Sequence, residues 1–407
     1  MKPRYDFSSM KRGIVSLLAL GLCCIGFCSD SSEDLLKKEE TLTRKLMELV
    51  LAPGSEASMA TEIANLRAEL NEVKAAIAKQ NQKHTDQTNH GWFSGFFQSQ
   101  YFANDRDGQL SGLFRSRRQR LNYNHMGDSK TMGRISVEFT AGTNNSTAQL
   151  RDAFIQYRPN TFLTASGPSY TIGQQNTPLG YEIAYPSWAR TWPERSVYEQ
   201  AFFNGERGRG LIYQNGDTSN YWFIGAWDAL TVNDPEQADV ATKGEVSPIF
   251  GVRHKLGAWE GGLSGFNGKR PNYASGAISL ASTDRKFFYA DLRYHPTNSR
   301  FDIRSEYMVG KDRIPLAATA AANDTTGFHV NVDYKATAND TVVLRYENFD
   351  RNTNFDGDLQ TLYGVAVVKD VNQFLRLTLA ADWNKNPTLP AGQTSYRTMT
   401  FRVQFKF

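Results

Sequence analysis

Residues 398–407 end the chain with the sequence TMTFRVQFKF. Apolar side chains occupy every second position: Met399, Phe401, Val403, Phe405 and Phe407. The positions between them are polar or charged: Thr398, Thr400, Arg402, Gln404 and Lys406. Because successive side chains of a strand point to opposite faces, this alternation predicts a strand with one apolar face and one polar face.

The same period of two recurs upstream, at 300–307, 328–335 and 375–383. We therefore predict an all-β domain at 91–407 with sixteen strands. They are placed at 92–103, 113–124, 132–141, 148–158, 162–174, 207–214, 220–230, 247–256, 259–267, 286–295, 300–310, 326–336, 340–350, 358–369, 372–384 and 395–407. The stretch GAISLAS at 276–282 has strand character as well, and an even number of strands argues against adding it to the sheet.

The connections between these strands alternate in length. Every second one is a short turn, such as PNT at 159–161 or PTNS at 296–299, and most of the others are longer. A soluble β-sandwich would also have strands with alternating apolar and polar side chains, but its connections would follow no order of length. Outer-membrane barrels have short periplasmic turns and long external loops. We predict an all-β transmembrane barrel of about sixteen antiparallel strands in the bacterial outer membrane, wide enough for an aqueous lumen.

The N-terminus has the features of a secretory signal peptide at 1–28. Lys2, Arg4, Lys11 and Arg12 precede an apolar run that is short for a membrane helix. Lipidation of Cys28 is the alternative, although Phe27 before it fits poorly because that position favours a small residue. All three cysteines lie in this segment. We expect no disulfide, no metal site and no cofactor.

Residues 29–90 are predicted to form a short N-terminal α-helical coiled coil and linker in the periplasm. Leu35, Leu42, Leu46 and Leu49 share one side of a first helix. A second helix carries Met59, Ile63, Leu66, Leu70, Val73 and Ile77 at alternating steps of four and three. An amphipathic helix packed on its own domain would give a similar stripe. The charged remaining faces favour self-association, with the oligomer number open.

Five segments of the barrel domain resemble the phosphate-selective porin O and P family. They are FRSRRQRLNYN (114–124), RISVEFTAG (134–142), LRDAFIQYRP (150–159), YTIGQQNTPLGYE (170–182) and PERS (193–196). The resemblance implies a trimeric sixteen-stranded porin whose third external loop folds into the lumen as a constriction. The connection 175–206 is the longest and the third on the external side, and it contains Trp188, Trp192, Arg190 and Arg195.

The predicted pore-lining residues are mostly arginines. They are Arg118, Arg120, Arg134, Arg190, Arg195, Arg304, Arg376, Arg402 and Lys406, with Trp188 and Trp192 in the constriction loop. Arg115 and Arg117 are predicted to point outward, towards the phosphates of lipopolysaccharide. The alternative for the inward arginines is pairing with lumen acids such as Glu138, Asp152, Asp302, Glu306 and Asp382. Such a ring of cations would favour anions if it is not neutralised.

We therefore expect a porin for passive diffusion of small hydrophilic solutes, with preference for anions and phosphate as narrower expectations. The alternative function is a structural tether. We do not expect an enzyme, since His254, His295 and His329 stand in no nucleophile motif. Expected partners are outer-membrane lipid, lipopolysaccharide, the barrel-assembly machinery that would read Phe407, and two further copies in a homotrimer. No nucleic acid is expected.

Overall fold

The computed structural model describes residues 38, 41–42, 45, 64–66, 68–75 and 91–407. Within the last range it leaves out 107–108, 142–145, 161, 163–165, 235–245, 276–277, 314–320 and 387–393. The chain divides into two units, Met1–His90 and Gly91–Phe407. The predicted signal peptide lies outside the described residues and stays a prediction.

The described residues of the first unit are helical. Leu42 and Val73 are buried, at 6% and 5% exposure. Lys38 Nζ lies 3.1 Å from Glu69 Oε1, so the two helical segments of one chain contact each other. This pairing within the chain does not support the predicted coiled coil between chains. In the part of the chain that the structure describes, no helix is long and apolar enough to cross a membrane.

The second unit is a closed antiparallel barrel of sixteen strands, as predicted. Its strands are β1 (Gly91–Asn104), β2 (Ser111–Met126), β3 (Thr131–Ala141), β4 (Ser146–Tyr157), β5 (Gly167–Asn176), β6 (Arg207–Gly216), β7 (Tyr221–Asp228), β8 (Val246–Leu256), β9 (Trp259–Arg270), β12 (Thr283–Tyr294), β13 (Phe301–Asp312), β14 (Asn323–Lys335), β15 (Asp340–Asp350), β16 (Gln360–Asp370), β17 (Leu375–Lys385) and β18 (Ser395–Lys406). One short helix, α1 (Val197–Phe202), lies between β5 and β6.

The stretch GAISLAS contributes to a separate hairpin. Strand β10 (Tyr273–Ser275) pairs with β11 (Ile278–Leu280) and with no barrel strand. The even strand number of the barrel is therefore kept, as expected from the sequence.

The first and last strands close the barrel. Gly95 N donates to Phe407 O over 2.9 Å, and Phe407 N donates to Gly95 O over 3.1 Å. Further along, Phe96 is opposite Lys406 and Asn104 is opposite Thr398. Because each backbone group at this seam finds a partner, the sheet has no free edge.

The two ends of the barrel differ in their connections. We call the end with both termini of the barrel and the tight turn at 257–258 the turn end, and the opposite end, with 177–206, the loop end. Outward-facing aromatic side chains are in contact around the turn end, in the runs Tyr157–Tyr170–Tyr213–Trp222, Trp259–Tyr294 and Phe301–Tyr334. Amphipathic aromatic side chains of this kind form the girdles of barrels that face lipid.

Part of the inner wall is apolar, which the sequence pattern did not predict. Side chains of the connection 177–206, among them Leu179, Ile183 and Phe202, are buried together with wall residues. The wall residues of this core are Ile212, Phe223, Trp227, Ile249, Phe266, Phe287, Tyr289, Met308 and Phe349. The barrel therefore has a hydrophobic core on one side of its interior, and the connection supplies five of its fifteen buried residues.

Candidate functional site

The connection between β5 and β6, residues 177–206, is the candidate site and is called the third loop. Its base is closed by a hydrogen bond from Thr177 N to Glu206 O of 2.9 Å. Between these ends the chain enters the barrel, because its side chains contact strands on several sides of the interior. The prediction that this loop folds into the lumen agrees with its position.

Carboxyl groups of the wall hold the loop on one side. Glu306 Oε2 accepts hydrogen bonds from the backbone N–H groups of Tyr181 and Glu182, and Glu306 Oε1 accepts one from Tyr198 Oη over 2.9 Å. Glu306 was predicted as a partner of lumen arginines. It holds the loop backbone instead, because a carboxylate in a buried site can take several N–H and O–H donors at once.

The acids of the loop itself have opposite electrostatic surroundings. Burial would raise the pKa of Glu182, but Arg345, with Nη1 2.8 Å from Oε1, holds this pKa well below its usual value. Burial and the nearby charges of Glu306 and Glu182 raise the pKa of Glu199 well above its usual value. Glu182 is therefore a charged anchor, whereas the surroundings of Glu199 favour its protonated form.

The two tryptophans of the loop have different environments. Trp192 is 4% exposed and buried in an apolar patch of the wall with Val343, Leu362, Ala366, Val368 and Ala380. Trp188 is 38% exposed, and Lys406 Nζ lies 4.6 Å from the centre of its ring. Trp192 therefore anchors the loop, and Trp188 is the one that faces open space beside a cation.

A β-bulge in the first strand pair reverses the prediction for Arg115 and Arg117. Gln98 is opposite Arg118, but Ser99 is opposite Ser116, so Arg117 is the extra residue. Arg117 donates to Glu194 of the third loop, from Nε over 2.8 Å and from Nη2 over 2.7 Å. Beyond the bulge the alternation is shifted, and Arg115 is opposite the inward-facing Gln100. The outward orientation was wrong because one inserted residue exchanges the two faces.

A second bulge has the same effect on β4. Ser136 is opposite Asp152 and Val137 is opposite Leu150, which leaves Arg151 as the extra residue. Arg151 and Asp152 are both buried, at 2% and 4% exposure. Each bulge thus directs two consecutive side chains into the barrel and adds an arginine that simple alternation would place outside.

Glu206, at the end of the third loop, is the centre of an arginine cluster. Its carboxylate lies 3.4 Å from Arg118 Nη2, 3.5 Å from Arg151 Nη2 and 2.7 Å from Arg207 Nη1, and it also pairs with Arg195. The residue has a φ of 65°, a left-handed conformation that costs a non-glycine residue about 1 kcal/mol. Strained residues of this kind are concentrated at functional sites.

Glu194 connects the loop tip to the same cluster. Besides its two bonds from Arg117, it accepts one from Arg402 Nη2 over 2.6 Å. Burial would raise the pKa of Glu194, but these two guanidinium groups hold it well below its usual value. Arg190 is 7% exposed, and within the described residues none of its guanidinium nitrogens has a hydrogen-bond partner.

The remaining predicted arginines are paired with acids. Arg120 Nε lies 3.0 Å from Glu138, and Arg134 Nε lies 3.3 Å from Asp152. Arg304 pairs with Asp333 and also donates to Thr191 over 3.3 Å, and Arg376 Nε lies 2.6 Å from Asp370. Seven of the nine predicted cations are thus paired with acids, which is the alternative considered from the sequence. Among the described residues, Arg190 and Lys406 are the exceptions.

The barrel has structural counterparts among solved proteins. The barrel has the fold of outer-membrane channel proteins. The anion-selective porin from Comamonas acidovorans is 12% identical, with a TM-score of 0.55 over 78% of this chain and 99% of that one. The outer membrane channel DcaP of Acinetobacter baumannii is 13% identical, with a TM-score of 0.54 over 78% and 97%. OmpT of Vibrio cholerae, in its outer-membrane expressed form, is 12% identical, with a TM-score of 0.56 over 79% and 99%.

No family model and no curated protein matches the sequence. At the identities of the solved structures the likeness concerns the fold alone. Within the described ranges no group of three or more His, Cys, Asp or Glu side chains could hold a metal ion. That the protein needs no metal or cofactor remains an expectation.

The arginine cluster contains more cations than anions. Its members are Arg117, Arg118, Arg151, Arg190, Arg195, Arg207 and Arg402. The acids paired with them are Glu194, Glu206, Asp152 and Glu199, the last with Oε2 3.8 Å from Arg195 Nε. Seven guanidinium groups face four acids, so cations outnumber acids beside the third loop. Only Arg118, Arg190, Arg195 and Arg402 were predicted. The sequence does not mark the two bulges that turn Arg117 and Arg151 inward, and it does not show that Arg207, at the start of β6, faces inward.

Proposed function

We propose that this chain is an outer-membrane porin, a water-filled channel for passive diffusion of small hydrophilic solutes. The observation that carries the proposal is a closed sixteen-stranded barrel with an apolar outer surface and a charged loop folded inside. A barrel of eight strands is filled by its own side chains, whereas porins of sixteen to eighteen strands leave an aqueous channel. The structural likeness to channel proteins supports the same function.

The channel is proposed to prefer anions. The support is the arginine cluster, whose excess positive charge lies where the third loop meets β2, β4, β6 and β18. Rings of charged side chains set selectivity at close quarters, and low dielectric strengthens their field. Membership of the phosphate-selective porin O and P family, with phosphate as one of the permeant anions, is the narrower form of this proposal.

The membrane position follows from the fold. The turn end is proposed to face the periplasm and the loop end the exterior, with lipid and lipopolysaccharide around the apolar surface. Residues 1–28 would direct export, and 29–90 would lie in the periplasm. A homotrimer is proposed by analogy with the trimer form recorded for the similar OmpT of Vibrio cholerae. Phe407 is proposed as the signal for barrel assembly.

The chain is proposed to act without catalysis. A barrel that served only as an anchor for a tether would gain nothing from a cluster of arginines around an internal loop. The channel therefore accounts for more of the structure than the tether does.

Reversal potentials in a potassium chloride gradient test the selectivity. We expect an anion-selective parent protein and a potential closer to zero for Arg190→Gln, because Arg190 adds charge without a bonded carboxylate partner. Arg293→Gln is the matched control, since Arg293 of β12 lies outside the cluster and is paired with Asp302. A cation-selective parent, or equal effects of the two substitutions, would contradict the proposed role of the cluster.

A further inference from the structure

A groove opens on the outer surface of the barrel at the loop end. It has a volume of about 370 Å³ and lies over the ends of β16, β17 and β18. Tyr363 and Trp383, at 56% and 50% exposure, form its walls. Lys385 and Arg397 lie at its outer edge, and Asp105 is beside Arg397.

These side chains point away from the lumen. Tyr363 is opposite Trp383, and Trp383 is opposite Arg397, so the three share one face of the sheet. The neighbouring Leu362 and Asn384 are buried on the inner face. The aromatic walls of the groove therefore lie on the outer face of the sheet, and Asn384 and Tyr396 of the inner face border it from behind.

The height of the groove places its cations at the border of the apolar band. On β18, Phe405 lies at the turn end and Arg397 at the loop end, about 27 Å apart along a strand that rises 3.4 Å per residue. With the usual tilt this is about 20 Å along the barrel axis, against an apolar band of about 25 Å. Trp383 and Tyr363 are at the register level of Arg397, so the groove lies near the loop-end border of the band, and Lys385 is two residues further towards the loop end.

The charge of the groove is positive. Asp105 binds Arg397 through Nε at 2.9 Å and Nη2 at 2.8 Å, which fixes the guanidinium group and leaves Nη1 for a second anion. The Arg397 side chain is 72% exposed. Lys385 forms no ion pair among the described residues, and 386–394, NPTLPAGQT, contains no acid. Two cations against one carboxylate leave one charge unmatched.

Two other exposed lysines near the loop end are matched by acids. Lys286 lies 3.3 Å from Asp284, and Lys311 lies 3.7 Å from Asp324. The groove is the place where an unmatched cation, a fixed guanidinium group and aromatic walls occur together. Phosphate is the anion that suits a guanidinium and an ammonium group side by side.

We propose that this groove binds the phosphorylated headgroup of an outer-leaflet glycolipid, the lipid A part of lipopolysaccharide. A phosphate contacts Lys385 and Nη1 of Arg397, and the first part of an acyl chain lies against Trp383 and Tyr363. The proposal rests on the outer-membrane location proposed above, but it needs no ion conduction. It replaces Arg115 and Arg117 as the contacts for lipopolysaccharide, because both face the interior.

Native mass spectrometry of the detergent-solubilised full chain tests this site, with diphosphorylated lipid A as the probe. The test variant is Lys385→Gln with Arg397→Gln, and the control is Lys286→Gln with Lys311→Gln, which removes the same charge. We expect lipid A retention to be about tenfold weaker for the test variant and unchanged for the control, since each juxtamembrane cation contributes separately. Both variants should keep the parental channel conductance, so a loss of lipid is distinguished from a loss of the channel.

Three results would overturn the proposal. The first is equal retention by test variant and control. The second is equal retention of lipid A from which the phosphates have been removed. The third is displacement by inorganic phosphate at concentrations comparable to the lipid, which would show a site for the free anion instead of a lipid.

Discussion

Arg117 and Glu194 form a two-point contact that joins strand β2 to the third loop, with Nε to Oε1 at 2.8 Å and Nη2 to Oε2 at 2.7 Å. The contact exists because a bulge turns Arg117 into the barrel. The same carboxylate also binds Arg402 of β18. One loop acid therefore connects two strands of the wall, and the position of the loop depends on it.

Arg117→Gln should loosen the tip of the third loop. The pair is partly exposed, at 27% and 25%, so we expect a loss of about 1 to 2 kcal/mol of loop anchoring. In planar bilayers the variant should show more frequent current fluctuations than the parent protein. Arg115→Gln is the control, because Arg115 lies over the ring of Phe102 at 4.3 Å and has no carboxylate in contact. Equal noise in both variants would argue against the anchoring role.

Trp192→Ala should destabilise the barrel, whereas Trp188→Ala should not. Trp192 fills an apolar site on β15, β16 and β17, and the loss of a buried tryptophan costs about 3 to 5 kcal/mol. Trp188 is 38% exposed and leaves no cavity. Guanidinium-induced unfolding followed by fluorescence in detergent measures the difference. A similar loss for both residues would mean that Trp192 is not the anchor.

Removal of Phe407 should reduce barrel closure. Its backbone exchanges two hydrogen bonds with Gly95, and its ring lies 5.5 Å from that of Phe97. We expect less of the compact, heat-modifiable band on gels for the chain that ends at Lys406. Phe405→Ala is the control, since it removes an aromatic ring from the same face but keeps the seam. A normal yield of folded barrel without Phe407 would contradict its role in closure.

The stability of the loop should fall with rising pH through Glu199. Its pKa is raised in the folded state, first by burial and then by the charges of Glu306 and Glu182. A carboxyl group with a raised pKa contributes stability at acidic pH that is lost as pH rises through the folded value. Glu199→Gln imitates the protonated form, so its unfolding midpoint should depend less on pH and exceed that of the parent protein at alkaline pH. Parallel pH profiles would contradict the assignment.

Much of the fold was predictable from the sequence, and the reason is the period of two. Alternation in 398–407 and in similar stretches predicts where strands lie and which of their side chains face outward. The alternation of short and long connections predicts an antiparallel barrel with distinct ends. Strand parity argued correctly against adding the stretch at 276–282 to the barrel, but the hairpin of β10 and β11 was not predicted.

The bulges after Gln98 and Ser136 could not be predicted, because nothing in the local pattern marks an inserted residue. They alone decide the direction of Arg117 and Arg151. The apolar inner wall was missed for another reason. Nothing in the sequence marks Phe223 and Ile249 as inward-facing, because their apolar neighbours come from a loop that is distant in the sequence.

Single-channel recording of the purified chain in planar bilayers tests the central claim, that the barrel is an open aqueous channel narrowed by the third loop. We predict stable steps of current with a linear dependence on voltage, and larger steps when the loop between Pro178 and Asn204 is replaced by a short glycine linker. A folded protein that inserts into bilayers and gives no current steps, with or without the loop, would contradict the account.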